Sequence, residues 1–342
     1  NDNIQKISPK NETEERIIEI WQAVLKREVN NLDDNFYDLG GNSLKLIRLI
    51  NEYHKVFNIK LNMKTLFSNA TLASHADMIT SSVKKEFVQI EKVTLSQGYP
   101  LSDPQKALWL LSRFKERAVA YNIPILLELL GDYDVKLFRK AILASIDRHE
   151  ILRTVFKENE EGEVRQWVMP ITEINFDVQY FDYSEFDDAT DRVQQFVEID
   201  SYIPFDIENG PLIRASLFKI EDEKYLFYYN MYHIVSDEVS MDILKRDVLS
   251  FYSAYQTSTE PLLPKLRIQY KDYAFWQQSN MNSQKRIEDQ KYWLNKLSGS
   301  LPYLDLPKQK NRPKLKTYNG KTLAAYVSLE TGKKLKSFCK EK

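Results

Sequence analysis

Apolar residues in the first eighty positions recur every three or four residues, which is the period of an amphipathic helix. Asn11 and Glu14 have the spacing of a capping box, and an apolar stripe follows at Ile17, Ile18, Trp21, Val24 and Leu25. Similar spacing continues over residues 43–57, a short turn falls near 64–67, and Thr71 precedes a last stripe at Leu72, Ala76 and Ile79. The pattern predicts four helices packed as a small bundle.

Beyond residue 99 the pattern alternates between helical and strand-like stretches. Helical spacing is found at 134–149, at 189–198 and after residue 238. Strand-like runs read LRTVF, VRQWVM, INFDVQYF, LIRASLFKI and KYLFYYNM, and the last two are almost continuously apolar, as central strands are. This alternation predicts an α/β domain.

The two patterns are separated by the stretch SSVKKEFVQIEKVTLSQGY, which is polar and has no long periodicity. A chain of 342 residues is expected to hold about two domains. We therefore expect a helical domain at 1–85, a linker at 86–98 and an α/β domain at 99–342.

Charge and composition exclude several classes of protein. Lys and Arg number 48 against 49 Asp and Glu, so no basic field would attract nucleic acid or an anionic membrane. No run approaches the roughly 18 apolar residues of a membrane span, IPILLELL being among the longest. One cysteine, Cys339, and a start without an apolar signal segment predict a cytoplasmic protein. The missing initiator Met suggests a piece of a longer chain.

The first candidate site is Ser43, in the stretch NFYDLGGNSL. Gly40 and Gly41 free the backbone, and Asn42 and Ser43 are good helix starters. A hydroxyl at a helix N-terminus lies near exposed amides and the positive dipole end, which favour a phosphodiester. The alternative is an ordinary capping serine after a Gly-Gly turn.

The second candidate site is His233, at the end of the last apolar strand, with Asp237 four residues later. An imidazole there could accept a proton from an amine or alcohol that attacks a thioester, or hold that nucleophile by a hydrogen bond. The alternatives are a structural histidine and, for Asp237, a structural partner of an arginine.

No metal site is expected. His54 and His75 fall on predicted helices without a second ligand-type residue beside them, and we expect both to be mostly exposed. The segment HEILR has Arg153 where a zinc protease would need its second histidine, so His149 is expected to be structural.

The ordered pattern DNFYDLGGNSLKLIRLI, between two amphipathic helices, resembles the peptidyl carrier protein of nonribosomal peptide synthetases. The resemblance covers about the first 85 residues. It implies that Ser43 carries a covalent phosphopantetheine, attached by a phosphopantetheinyl transferase. It also implies an upstream adenylation domain that loads an aminoacyl or peptidyl thioester.

Four later segments resemble, in sequence and spacing, the first core motifs of condensation domains. They are LSDPQKALWLL at 101–111, RHEILRTVF at 148–156, MYHIVSDEVS at 231–240 and YKDYAFW at 270–276. The resemblance implies the fold of chloramphenicol acetyltransferase-like acyltransferases, with two lobes and a tunnel that carrier arms enter from opposite faces. The fold class is then a four-helix carrier followed by an α/β condensation lobe, with the second lobe incomplete.

The family's activity would be amide formation, in which an amine on a downstream carrier attacks the upstream thioester. His233 matches the second histidine of the HHxxxDG signature, as base or positioning group, and Asp237 matches its structural aspartate. Arg148 is expected to support the site together with Arg153. The setting implied is secondary metabolism, such as the synthesis of an antibiotic or siderophore.

Three departures from the family pattern matter. Tyr232 replaces the first histidine, which is mild because the resemblance assigns the chemistry to the second. Glu238 replaces the glycine and places a bulky carboxylate near the expected arm path and His233. The chain also stops at Lys342, before the later motifs, so the truncated chain is expected to be inactive. The alternative function is a carrier followed by a degenerate, non-catalytic domain that serves as a protein-interaction platform.

Overall fold

The computed structural model describes residue 9 and residues 11–29, 31–84, 87, 89–95, 97–114, 118–281, 283–302 and 325–341. The chain divides into two compact units, Asn1–Gln89 and Ile90–Lys342. Within the described ranges, no helix combines the length and the apolar character needed to cross a bilayer.

The part of the first unit that the structure describes is a bundle of four helices, as predicted. They are α1 (Glu12–Leu25), α2 (Ser43–Phe57), α3 (Met63–Ser68) and α4 (Leu72–Ser81). Each helix starts at a residue whose side-chain oxygen accepts a hydrogen bond from a backbone amide of the first turn, namely Asn11, Asn42, Asn62 and Thr71. Such caps satisfy amides that have no partner inside the helix.

A row of hydrogen-bonded polar side chains is buried in the core of this bundle. The Trp21 indole N–H donates to the Tyr53 hydroxyl at 2.6 Å, and that hydroxyl lies 2.9 Å from Nδ1 of His75. All three side chains are fully buried, so the prediction that His75 is mostly exposed is wrong. Burial lowers the pKa of His75 to about 4, because a charged imidazole loses its hydration there. His54 is half-buried.

Among its described residues, the second unit contains seven strands in two sheets. The strands are β1 (Tyr99–Pro100), β2 (Asn122–Leu130), β3 (Thr154–Glu158), β4 (Val164–Val168), β5 (Val178–Asp182), β6 (Ile213–Glu221) and β7 (Lys224–Tyr232). The larger sheet has the order β2-β7-β6-β5, in which β7 pairs antiparallel with β2 and β6, and β5 runs parallel to β6. The smaller sheet has the order β1-β4-β3. Strand β2 was not predicted.

Helices in the second unit are α5 (Asp103–Ser112), α6 (Val135–Arg148), α7 (Ala189–Ser201), α8 (Glu238–Thr257), α9 (Tyr270–Ser279), α10 (Gln284–Lys296) and α11 (Leu329–Glu341). Short 3-10 turns cover 118–121, 150–153 and 171–173. The helices predicted at 134–149, at 189–198 and after residue 238 are confirmed as α6, α7 and α8.

The strands β6 and β7 are central and buried on both faces. Leu217 and Met231 face a core that includes Phe138 of α6 and Val248 of α8. Phe218, the neighbour of Leu217, points to the opposite core together with residues of α7. Because successive side chains of a strand alternate between faces, both faces must be apolar, which confirms the interpretation of the continuous apolar runs.

Part of the stretch expected to be a linker is hydrogen-bonded to the second unit. The Arg267 guanidinium donates to the carbonyl oxygen of Ile90 at 2.8 Å, and the amide of Val93 donates to the Asp272 carboxylate at 2.9 Å. Asp272 is buried in the first turn of α9. Residues 90–93 therefore belong structurally to the second unit.

Candidate functional site

Ser43 is the first residue of α2, and its side chain is exposed. The helix cap is the preceding Asn42, whose Oδ1 accepts a hydrogen bond from the amide of Lys45 at 2.9 Å. The capping role considered for Ser43 is thus filled by its neighbour, and the serine hydroxyl faces solvent.

The two glycines before Ser43 are required by the geometry of the turn. Gly40 has a φ of +87°, in the left-handed region that favours glycine. A Cβ on Gly41 would overlap the Phe36 ring and the Phe36 carbonyl oxygen. Phe36 is a fully buried core residue, so it holds the turn closely against the bundle.

The surroundings of Ser43 suit a phosphodiester-linked arm. The start of a 15-residue helix presents amides and the positive end of its dipole. The Lys45 ammonium donates to the Gly40 carbonyl at 2.9 Å, which places a cation beside the turn. Leu44, the next residue, and Phe67, whose ring lies 5.2 Å from that of Tyr37, each expose apolar surface at 60%. These residues fit a phosphopantetheine group on Ser43.

His233 lies in the turn that follows β7, and its imidazole is exposed. Its backbone amide donates to the Tyr121 carbonyl at 2.9 Å, and the two rings lie 6.4 Å apart. The turn is thereby fixed to the start of β2, while the imidazole stays exposed to solvent.

Tyr232 points away from the side that His233 faces. It is buried in an apolar cluster with Phe156 and Ile234, and Phe205 packs against its ring. Its hydroxyl has no hydrogen-bond partner among the described residues. Burial raises the pKa of Tyr232 to about 12. The side chain at this position of the signature is a core residue.

Asp237 and Glu238 form the start of α8. Asp237 is the cap, and its Oδ1 accepts from the amide of Ser240 at 2.8 Å and from the Ser240 hydroxyl at 2.5 Å. Its partner is therefore a serine where the sequence had suggested an arginine. Glu238 is the first helical residue, and its side chain is exposed.

Arg148 binds a carboxylate that the sequence did not single out, Asp247 of α8. The Asp247 Oδ2 accepts from Arg148 Nε at 2.9 Å and lies 2.8 Å from His149 Nε2, while Oδ1 accepts from Arg246 at 2.6 Å. Burial raises the pKa of the fully buried Asp247, but hydrogen bonds from Arg246, His149 and Arg148 outweigh burial and keep it below its ordinary value. The sequence feature that could have identified Asp247 is an acidic residue next to Val248, on the side of the predicted helix that faces the core.

Further polar contacts join three of the four motifs. The Glu150 amide donates to the Gln269 side chain at 3.2 Å, and the Lys271 ammonium lies 2.7 Å from the Glu150 carboxylate. The hydroxyls of Ser102 and Tyr270 lie 2.9 Å apart. The segments at 101–111, 148–156 and 270–276 thus form one scaffold, and Asp247 connects it to α8.

A cavity of about 480 Å³ lies between α8, the turn at 149–152 and the segment 266–273. Met231 and Val235, two residues before and two after His233, line it. No group of three His, Cys, Asp or Glu side chains suited to a metal ion occurs in the part of the chain that the structure describes.

Comparison with protein families finds two matches, in the order of the two units. Residues 15–79 match the family described as "Phosphopantetheine attachment site". Residues 95–342 match the family described as "Condensation domain".

Curated relatives align over almost the whole chain. Tyrocidine synthase 3 of Brevibacillus parabrevis is 34% identical over 318 residues, which are 93% of this chain and 5% of that protein. Surfactin synthase subunit 1 of Bacillus subtilis is 34% identical over 331 residues, 96% of this chain and 9% of that protein. The chain therefore spans less than a tenth of the length of these relatives.

Solved structures resemble the second unit in fold. The X-domain from teicoplanin biosynthesis matches with a TM-score of 0.57 and 26% identity, over 67% of this chain and 50% of that one. A starter condensation domain of rhizomide synthetase matches with a TM-score of 0.55 and 22% identity, over 60% of this chain and 46% of that one.

Proposed function

Since the chain belongs to the condensation domain family of nonribosomal peptide synthetases and carries a phosphopantetheine attachment domain ahead of it, we propose that it holds an acyl group on its carrier and passes it to an amine. The first unit is the carrier and the second unit forms the amide bond. The amine is held on a downstream carrier, and an upstream adenylation domain supplies the acyl group.

Ser43 is the attachment residue in this proposal. Its support is the exposed hydroxyl at the start of α2, with capping left to Asn42 and with Lys45 beside the turn. A phosphopantetheinyl transferase would need such an accessible hydroxyl. When bound, phosphopantetheine supplies a thiol on which the acyl group is held as a thioester.

His233 is the proton acceptor or positioning group for the attacking amine. As the amine nitrogen bonds to the thioester carbon, the amine must lose a proton and the sulfur leaves as a thiol. An imidazole is suited to both transfers near neutral pH. The observation that carries this assignment is an exposed imidazole on a turn fixed at its backbone to Tyr121.

The alternative is a non-catalytic domain that recruits a partner protein. Glu238 favours it, because the family's glycine is replaced by an exposed carboxylate at the start of α8, five residues from His233. Tyr232 does not favour the non-catalytic alternative, because its side chain lies in the core and its replacement of a histidine leaves the exposed His233 in place.

An assay of phosphopantetheine attachment tests the carrier part of the proposal. The chain is incubated with a phosphopantetheinyl transferase and coenzyme A, and intact mass should show one added arm. Ser43→Ala should abolish the addition, whereas Ser81→Ala, another exposed helical serine of the carrier, should not. An arm on the Ser43→Ala variant would overturn the attachment site.

A second intact-mass measurement, with the complete condensation domain and a loaded downstream carrier, tests acyl transfer from Ser43 to the amine. His233→Ala should lower transfer about a hundredfold, because it removes the positioned base. Glu238→Gly separates the two functions: increased transfer indicates a site that glutamate obstructs, and unchanged or lower transfer indicates a site adapted to it. If the wild-type domain transfers nothing yet binds a partner protein specifically, the platform replaces the enzyme.

A further inference from the structure

The cavity beside His233 has a largely aliphatic lining. Ile243 and Leu244 of α8, Leu266 and Ile268 of the segment before α9, and the strand residue Met231 contribute to it. Its volume of about 480 Å³ lies within the range of small-molecule sites, roughly 300–1,000 Å³. The space is sufficient for a branched side chain together with part of the group that bears it.

The polar side chains around this cavity are already engaged by the protein. His149 and Arg246 bind Asp247, and the Ser240 hydroxyl donates to Asp237. The Gln269 amide donates to the carbonyl of Arg148. A polar occupant would lose its hydration and find few partners among these side chains, where part of the exposed Arg246 guanidinium is all that remains unbonded, whereas an apolar occupant has no hydrogen bonds to lose.

The position of the cavity relates it to the reaction proposed above. Met231 and His233 are two residues apart at the end of β7, and Val235 completes the turn that carries the imidazole. The backbone that carries His233 therefore forms part of the cavity wall. This places the cavity next to the turn on which the proposed reaction takes place.

We infer that this cavity binds the apolar end of the substrate, a branched aliphatic or comparable acyl group or amino-acid side chain, and selects it over polar groups of similar shape. The inference rests on the proposed function, since a carrier-bound thioester is what brings this group to His233. It specifies the class of substrate for that function.

Binding of non-hydrolysable analogues to the whole chain tests this inference. The probes are pantetheine derivatives in which an amide replaces the thioester, acylated with 4-methylpentanoyl, leucyl or succinyl groups. The succinyl carboxylate has nearly the shape of the 4-methylpentanoyl branch, so the pair differs mainly in polarity. Calorimetry should show at least about tenfold tighter binding of an apolar probe, the scale of discrimination in hydrophobic pockets. Comparing the leucyl and 4-methylpentanoyl probes distinguishes an amino-acid side chain from a plain acyl chain.

Variants locate the binding. Ile243→Trp should fill the cavity and weaken apolar binding about tenfold, while Leu249→Trp, exposed on the same helix and outside this cavity, should leave it unchanged. If Ile243→Trp fails to fold by circular dichroism, Ile268→Ala takes its place and should weaken binding several-fold by removing methyl groups.

Equal or tighter succinyl binding, no binding of any probe, or apolar binding untouched by the cavity variants would overturn the assignment. The transfer assay reports separately on the proposed function. Selective binding of apolar probes without acyl transfer would contradict the proposed enzyme activity and leave the cavity assignment intact. Acyl transfer without selective binding would contradict the cavity assignment and leave the proposed activity intact.

Discussion

Tyr232 and Tyr228 lie on the same strand, are both almost fully buried, and differ in whether their hydroxyls are satisfied. The Tyr228 hydroxyl donates to Asp200 at 2.7 Å, whereas the Tyr232 hydroxyl has no partner among the described residues. A buried hydroxyl without a partner costs stability, and a bonded one contributes to it. Tyr232→Phe should therefore be neutral or stabilising by up to about 1 kcal/mol.

Tyr228→Phe is the matched comparison, and it should destabilise by about 1 kcal/mol or more because Asp200 loses a donor. Urea unfolding followed by fluorescence measures both free energies of unfolding. A clear loss of stability in Tyr232→Phe would show that its hydroxyl has a partner in solution.

His75 should make the carrier sensitive to acid. Its pKa is about 4 in the fold against 6.5 when exposed, so between these values the unfolded chain binds a proton that the fold does not. The stability contribution of neutral His75 is complete above about pH 6.5, declines as the pH falls, and is lost below about pH 4. A shift of this size corresponds to about 3 kcal/mol.

Unfolding of the carrier at pH 7 and pH 4 measures this loss. His75→Leu should remove most of the His75 contribution to the pH dependence, while His54→Leu, at a half-buried histidine, should retain it. If both variants lose stability on acidification as the wild type does, carboxylates and not His75 govern the response.

The position of a single residue is predictable from the sequence where a local pattern fixes the backbone. It is less predictable where tertiary packing determines whether the side chain is buried. Ser43 was found at a helix start because Gly-Gly-Asn precedes an apolar stripe, and the structure places it there. The prediction that His75 is exposed is wrong because its burial follows the helical period and not the polarity of its side chain. His75 lies three residues after Leu72 and four before Ile79, so the helical period itself placed it inward.

At the scale of elements, α8 is held by a buried carboxylate. Asp247→Ala would leave Arg148, whose side chain is 13% exposed, as a charge without its buried partner. Removing one side of a buried ion pair typically costs 3–5 kcal/mol, so we expect a loss of about that size. Asp242→Ala, at an exposed position of the same helix, should change stability by less than about 0.5 kcal/mol.

Thermal and urea unfolding of the two aspartate variants measure this difference. Circular dichroism at 25 °C checks that each remains folded before the comparison is made. A small effect of Asp247→Ala, similar to that of Asp242→Ala, would mean that water or Arg246 compensates and that the contact does not stabilise α8.

The strand positions were largely predictable, but their order in the sheet was not. Apolar runs located β6 and β7, whereas the parallel pairing of β5 with β6 depends on a crossover through α7 that no local pattern encodes. The apolar run IPILLELL, which contains most of β2, does not by itself predict a strand. Its Pro124 argues against a central strand, and the structure places β2 at an edge, where a missing amide is tolerated.

At the scale of the whole molecule, the two compact units should unfold separately. Leu49 is a fully buried core residue of the carrier, and Leu217 is one of the second unit. Each Leu→Ala change should cost about 2–5 kcal/mol, but only in the unit that contains it. The measurement tests whether the units are independent, and the predicted domain bounds stay a prediction.

Scanning calorimetry of the chain should resolve the two transitions. Leu49→Ala should lower the midpoint of one and Leu217→Ala that of the other. A single transition that both variants shift equally would mean that the units fold as one cooperative body.

The side chain of Tyr232 is buried and that of its neighbour His233 is exposed. This difference affects how the HHxxxDG signature is used to classify related sequences. Position 232 belongs to the volume of a packed interior, so its identity should covary with that of Phe156 and Phe205 across an alignment and carry little information on activity. Positions 233 and 238 lie at the surface, where the proposed reaction would take place, and under that proposal these two positions should separate active from inactive members. A score that weights adjacent letters of the signature equally would mix a packing constraint with a catalytic one.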